Sequence, residues 1–133
     1  MKNILKILLP FLMLLMSCTP ESEQKTLRFL DESVFRNING DGTKVDFIVE
    51  WNGVVWIVEE VPGADGALLE ELKPSSHVGT LDNKGYTDGF FMIGRNETGK
   101  MRSTSLVLRS TAGCEPAKEV VVTVTQQKYK EQE

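Results

Sequence analysis

The chain has 133 residues, 26% of them charged, with a formal net charge of −4. Lys and Arg form no basic cluster, so a phosphate backbone meets no concentrated positive surface, and nucleic acid is excluded as an expected partner. Two cysteines and one histidine leave no material for a disulfide framework or a Cys/His zinc site.

The N-terminus opens with Lys2 and Lys6, an apolar run over residues 7–16 broken by Pro10, and then Leu15-Met16-Ser17-Cys18. That run is half of the roughly 20 residues a membrane-crossing helix needs, so it reads as a secretory leader. Its ending resembles a bacterial lipobox. The resemblance implies cleavage before Cys18, a lipid on the Cys18 thiol, and a membrane anchor that needs no spanning helix. The expected organisation is a leader over 1–17, a lipidated tether over 18–25, one β-domain over 26–127 and a polar, fraying tail over 128–133. With Cys18 carrying lipid, Cys114 has no cysteine to pair with, and no intramolecular disulfide is expected. The mature chain keeps 116 residues, enough for a single hydrophobic core, and losing Lys2 and Lys6 takes its net charge to −6. The acidic stretch Thr19-Pro20-Glu21-Ser22-Glu23 is similar to the surface-export signal of Bacteroidetes-type lipoproteins; the expected location is the outer membrane, lipid-anchored, with the face that the domain occupies left open between the cell surface and the inner side.

Beyond the tether, short apolar runs alternate with turn residues. Thr26-Leu27-Arg28-Phe29-Leu30 predicts an edge strand, with a second short segment over residues 33–38. After the turn at Asn39-Gly40-Asp41-Gly42, Val45, Phe47, Val49 and Trp51 share one face of a half-buried strand. Asn52-Gly53 suits a two-residue hairpin turn, which predicts that residues 54–61 return antiparallel beside it. Residues 67–73 consist of good helix formers and are expected to be a short helix or an irregular crossover. Residues 74–85 predict a loop, residues 89–94 a central strand apolar on both faces, and residues 103–110 a strand with Leu106 and Leu108 opposite Val107 and Arg109. The last segment, Glu119-Val120-Val121-Val122-Thr123-Val124-Thr125-Gln126, is almost wholly β-branched with period two. About seven strands and no sustained helical period predict an all-β, immunoglobulin-like sandwich.

Asn52 followed closely by Trp56, then Asn96, Arg102 six residues later, and the closing Val122-Thr123-Val124-Thr125-Gln126 resemble, in order and spacing, the BACON domain, a Bacteroidetes-associated module named for carbohydrate binding. The resemblance implies an immunoglobulin-like sandwich with a glycan, mucin-type or polysaccharide, or a surface protein as partner. It also marks Asn52, Trp56, Asn96, Arg102 and Gln126 as the family's structural motif. Leu72 stands where the family commonly carries a second Trp.

Chemistry beyond binding finds little to stand on. His77 lies among serines without a nucleophile elbow or an oxyanion-hole glycine motif. Glu59-Glu60 and Glu70-Glu71 are adjacent pairs; neighbouring strand residues point to opposite faces, so the first pair cannot share a substrate without a bulge, and both pairs read as surface charge. Asp41-Gly42-Thr43 and Asp82-Asn83-Lys84-Gly85 are turns rather than calcium loops. No enzyme activity, cofactor or metal is therefore expected. Asn96-Glu97-Thr98 fits a glycosylation sequon but reads as a hairpin turn. Trp56 is expected in the core, whereas Trp51 and Tyr86 are the candidate ligand-binding residues, because sugar C–H faces stack on exposed aromatic rings beside polar groups. The competing expectation is a docking subunit of an envelope complex that contacts no sugar.

Overall fold

The computed structural model describes residues 25–130; the leader, Cys18 with the tether up to residue 24, and residues 131–133 lie outside the described residues. Seven strands form two antiparallel sheets: β1 (Thr26–Phe29), β2 (Thr43–Asn52), β3 (Val55–Val61), β4 (Leu69–Lys73), β5 (Lys84–Ile93), β6 (Arg102–Ala112) and β7 (Glu119–Gln126). One sheet has the order β1-β2-β5-β4 and the other β3-β6-β7. The expected all-β, immunoglobulin-like sandwich of about seven strands is what the chain folds into.

Period-two patterning builds the core. Val45, Phe47 and Val49 of β2 turn inward and meet Trp56 and Val58 of β3, Leu106 and Leu108 of β6, and Val122 and Val124 of β7. Phe35 enters from a 3-10 turn at Glu32–Phe35 whose Ser33 N–H is capped by the Asp31 carboxylate. Its ring lies 5.0 Å from Phe29 and 6.1 Å from Phe91, an aromatic cluster that seals the sandwich.

Three expectations are corrected. Asn52-Gly53 does not make a hairpin: Gly53 N–H donates to Asn83 O at 2.8 Å, and the chain crosses through fully buried Val54 into the opposite sheet, where β3 pairs with β6. The inner face of β2 needs an apolar layer over it, and β3 supplies one only by leaving its sequence neighbour. Residues 69–73 form a strand rather than a short helix or an irregular crossover, because pairing with β5 overrides the helix preference of Leu-Glu-Glu-Leu-Lys. The second short segment, residues 33–38, holds most of the 3-10 turn, and Ile38 pairs, in parallel, with Gln126. The start of the tail is docked: Gln127 N–H donates to Ile38 O at 2.8 Å, Tyr129 N–H to Asn96 O at 3.2 Å, and the Arg95 guanidinium sits 4.3 Å from the Tyr129 ring centre.

Candidate binding site

The β2–β5 ladder has two ends, and each gathers residues singled out in the sequence. At the Asn52 end, Trp51 is half-buried at the rim of the core, and its indole N–H donates to Thr87 Oγ1 at 3.0 Å. Its cross-strand partner is Gly85. A Cβ at that position would sit 3.3 Å from the indole Cζ2, so bare backbone lets the ring lie close against β5. On the outer face, opposite to the face that carries Trp51, Arg28, Glu50 and Tyr86 form one row across β1, β2 and β5. The Glu50 carboxylate accepts from Arg28 Nε on one side and from the Tyr86 hydroxyl, at 3.4 Å, on the other. Tyr86 is 67% exposed.

Trp51 and Tyr86 thus line one cleft of about 380 Å³, together with Thr26, Glu50, Asn52, Lys84 and Gly85. Trp51 meets this cleft from the inner face of the sheet and Tyr86 from the outer face, with an acidic, an amide and a basic residue also on its lining. Apolar contact with a ring and hydrogen bonding to hydroxyls are therefore available within one site. Sequence reasoning had Trp51 and Tyr86 as separate candidates and missed Glu50, Lys84 and Gly85. Alternation along each strand marks Glu50 and Tyr86 as outward, but only the register joining residues 43–52 to 84–93 makes them neighbours.

At the Thr43 end, Asn96, Arg102 and Gln126 come together as a closed polar knot. Asn96 and Gln126 are fully buried. Asn96 Nδ2 donates to Lys100 O at 2.7 Å and Gln127 O at 3.0 Å, while its Oδ1 accepts from Thr98 N–H and Oγ1. Arg102 Nε donates to Gln126 Oε1 at 2.8 Å, and its Nη2 reaches Gly94 O at 3.2 Å. Gln126 Nε2 donates to Asn39 O and Gly94 O at 3.1 and 2.8 Å. The residues 94–101 link β5 to β6 in the other sheet, so Asn96 organises a cross-sheet loop rather than the expected hairpin turn. A glycosylating enzyme would find its amide buried and engaged at both ends.

Of the remaining candidates, Trp56 is wholly inside, and its Nε1–H finds no hydrogen-bond partner among the described residues. His77 is exposed in the loop before β5. Glu59 and Glu60 do point to opposite faces, but only Glu59 is a surface charge, paired with Arg109 at 3.1 Å. Glu60 turns inward, where its Oε2 accepts from Leu68 N–H at 2.7 Å and Thr104 Oγ1 at 2.8 Å, holding the start of β4 to the second sheet. Among the described residues no group of three His, Cys, Asp or Glu could hold a metal ion.

No family model matches the chain, and no curated protein matches it. Two solved structures are similar. One is the Bacteroides ovatus GH5 xyloglucanase in complex with a XXXG heptasaccharide, at 16% identity and a TM-score of 0.54; the match covers 78% of this chain and 19% of that one. The other is the ASH / PapD-like domain of human CEP192 (PapD-like domain 7), at 13% identity and a TM-score of 0.56, covering 84% and 94% of the two chains. The chain is an all-β protein of the immunoglobulin-like sandwich class. Within that class its likeness extends to PapD-like domains, as a likeness of fold.

Proposed function

We propose that the chain is a non-enzymatic, BACON-like recognition module, anchored by a lipid on Cys18 at the outer membrane, that binds a glycan in the Trp51–Tyr86 cleft. One observation carries this reading: the two aromatic residues, 35 positions apart in sequence, line the same rim beside Glu50, Asn52 and Lys84. A sugar offers such a rim both an apolar face and hydroxyl groups. The xyloglucanase likeness supports the scaffold, and the choice of glycan rests with the cleft.

Glycan-array binding of the soluble 19–133 chain tests the site. A glycan retained by the wild type and lost in Trp51→Ala and Tyr86→Ala supports the reading; the absence of binding to any glycan, or binding that both variants keep, overturns it. The anchor is tested separately, by following a radiolabelled fatty acid into the chain in cells. The label should be incorporated by the wild type and absent from Cys18→Ala.

A further inference from the structure

Tyr86 presents its ring on the outer face of the four-stranded sheet, and that face continues beyond the cleft. Along β5 Phe91 and Ile93 are buried in the core, so by period two Phe90 and Met92 turn outward with Tyr86 and Asp88. A direct sign of this setting is the Lys44 ammonium, on the outer face of β2, which lies 4.7 Å from the Phe90 ring centre. Tyr86 and Phe90 are thus two rings on one face of one strand, four residues or about 13 Å apart. Between them stand Asp88 and its cross-strand partner Ile48, both exposed. None of the outward residues of β2 and β5 is buried, so among the described residues nothing seals this strip from solvent.

We infer that the strip is a platform for an uncharged, linear oligosaccharide laid along β5, with one sugar unit on Tyr86 and a later unit on Phe90. The inference rests on the glycan reading of the cleft and extends its ligand from a single sugar at Tyr86 to a chain. Rings so far apart lie beyond the reach of one sugar unit, whereas an extended chain meets both in turn.

The surface selects this occupant over others. The three outward bases of β1, β2 and β5, Arg28, Lys44 and Lys84, are matched by three acids, Asp46, Glu50 and Asp88. A polyanion or a polycation gains little from so balanced a surface, while hydroxyl groups find both donors and acceptors on it. A protein partner needs an uncharged apolar centre, and Asp46 and Asp88 interrupt the group formed by Tyr86, Ile48 and Phe90. The ammonium over Phe90 marks a π-face that attracts positive partial charge, which sugar C–H groups also carry. Lys44 is itself exposed and holds a surface pair of 3.6 Å with Asp46, so displacing it from the ring costs little.

Calorimetric titration of the 19–133 chain, which contains both sheets, tests the platform. The probes are neutral linear gluco-, xylo- and manno-oligosaccharides from disaccharide to hexasaccharide, with an acidic uronate series beside them. A neutral hexasaccharide should bind at least about tenfold tighter than its disaccharide. Phe90→Leu, which keeps an apolar strand residue without the ring, should bring the hexasaccharide down to the disaccharide's affinity, and Phe90→Tyr should restore the gain. Equal affinity at all lengths, or a Phe90→Leu variant that keeps the gain, overturns the platform and leaves the cleft reading standing. Binding confined to the uronate series overturns the platform through its charge balance. Binding of no oligosaccharide overturns the platform and the cleft reading together. A dimer in sedimentation that Phe90→Leu dissolves would give the face to a second copy and overturn the platform too. Should Phe90→Leu fail to fold, the dependence on chain length in the wild type still decides.

Discussion

The two ends of the β2–β5 ladder use polar side chains in opposite ways. At the Thr43 end, Asn96 and Gln126 are buried without exposure, and each makes at least three hydrogen bonds within the chain. At the Asn52 end, Glu50, Lys84 and Tyr86 ring an open cleft, and Tyr86 holds one long contact to Glu50. A buried polar group that is fully satisfied specifies the fold and has nothing left to offer a ligand. An exposed one keeps its bonding capacity in reserve. Both clusters coincide with residues prominent in the sequence, but only the second can recognise anything.

This contrast is sharpest in stability. Asn96→Ala takes the side-chain partner from Gln127 O and Thr98 N–H, and Gln126→Leu takes it from Arg102 Nε, so each should cost about 1–3 kcal/mol. The check is a urea midpoint that falls at unchanged slope. A loss well under 1 kcal/mol would mean that water takes over the bonds and the knot is not closed. Trp51→Phe, which keeps the ring against Gly85 but loses the donor to Thr87, should cost about 1 kcal/mol. Tyr86→Ala should stay within about 0.5 kcal/mol of wild type, since exposed substitutions rarely do more, while weakening any glycan bound at the cleft by at least about tenfold. A Tyr86 variant that unfolds instead would place the residue with the knot and break the contrast.

The parts of this organisation that were legible in sequence are those set by local periodicity. The alternation of Val45, Phe47, Val49 and Trp51, and of Val120, Val122 and Val124, assigns faces without knowledge of any partner, and both assignments agree with the burial found. Pairing was not legible. Asn52-Gly53 is as good a hairpin signal as the code offers, yet whether the next strand returns or crosses is settled by the opposite sheet's need for an apolar cover. Leu69–Lys73 fails for the same reason, since its helical preference is local and β5 is not. The knot shows the limit most clearly: the spacing of Asn96, Arg102 and Gln126 marked them as a set, while the Arg102–Gln126 bond depends on β6 and β7 lying in register, and Asn96 bonds instead to its own loop and to Gln127 O.

Asp31 provides the smallest test, and it falls between the two classes. Its carboxylate accepts from the Ser33 hydroxyl at 2.6 Å and from Ser33 N–H at 3.0 Å, starting the 3-10 turn that delivers Phe35 to the core. The group is exposed like those of the cleft, yet engaged like those of the knot. The hydroxyl bond first, and then the main-chain bond, hold its carboxyl below the usual carboxylate range. A folded-state value below the unfolded one means that the charged form favours folding. The contribution is therefore complete above the unfolded value and is lost as pH falls through the lowered one. Asp31→Asn should accordingly melt slightly below wild type at neutral pH, and the gap should close only in strong acid. Thermal melts of both chains from pH 7 downward measure it. A gap that stays constant across that range would show that Asp31 acts through its shape, as the knot residues do, rather than through its charge.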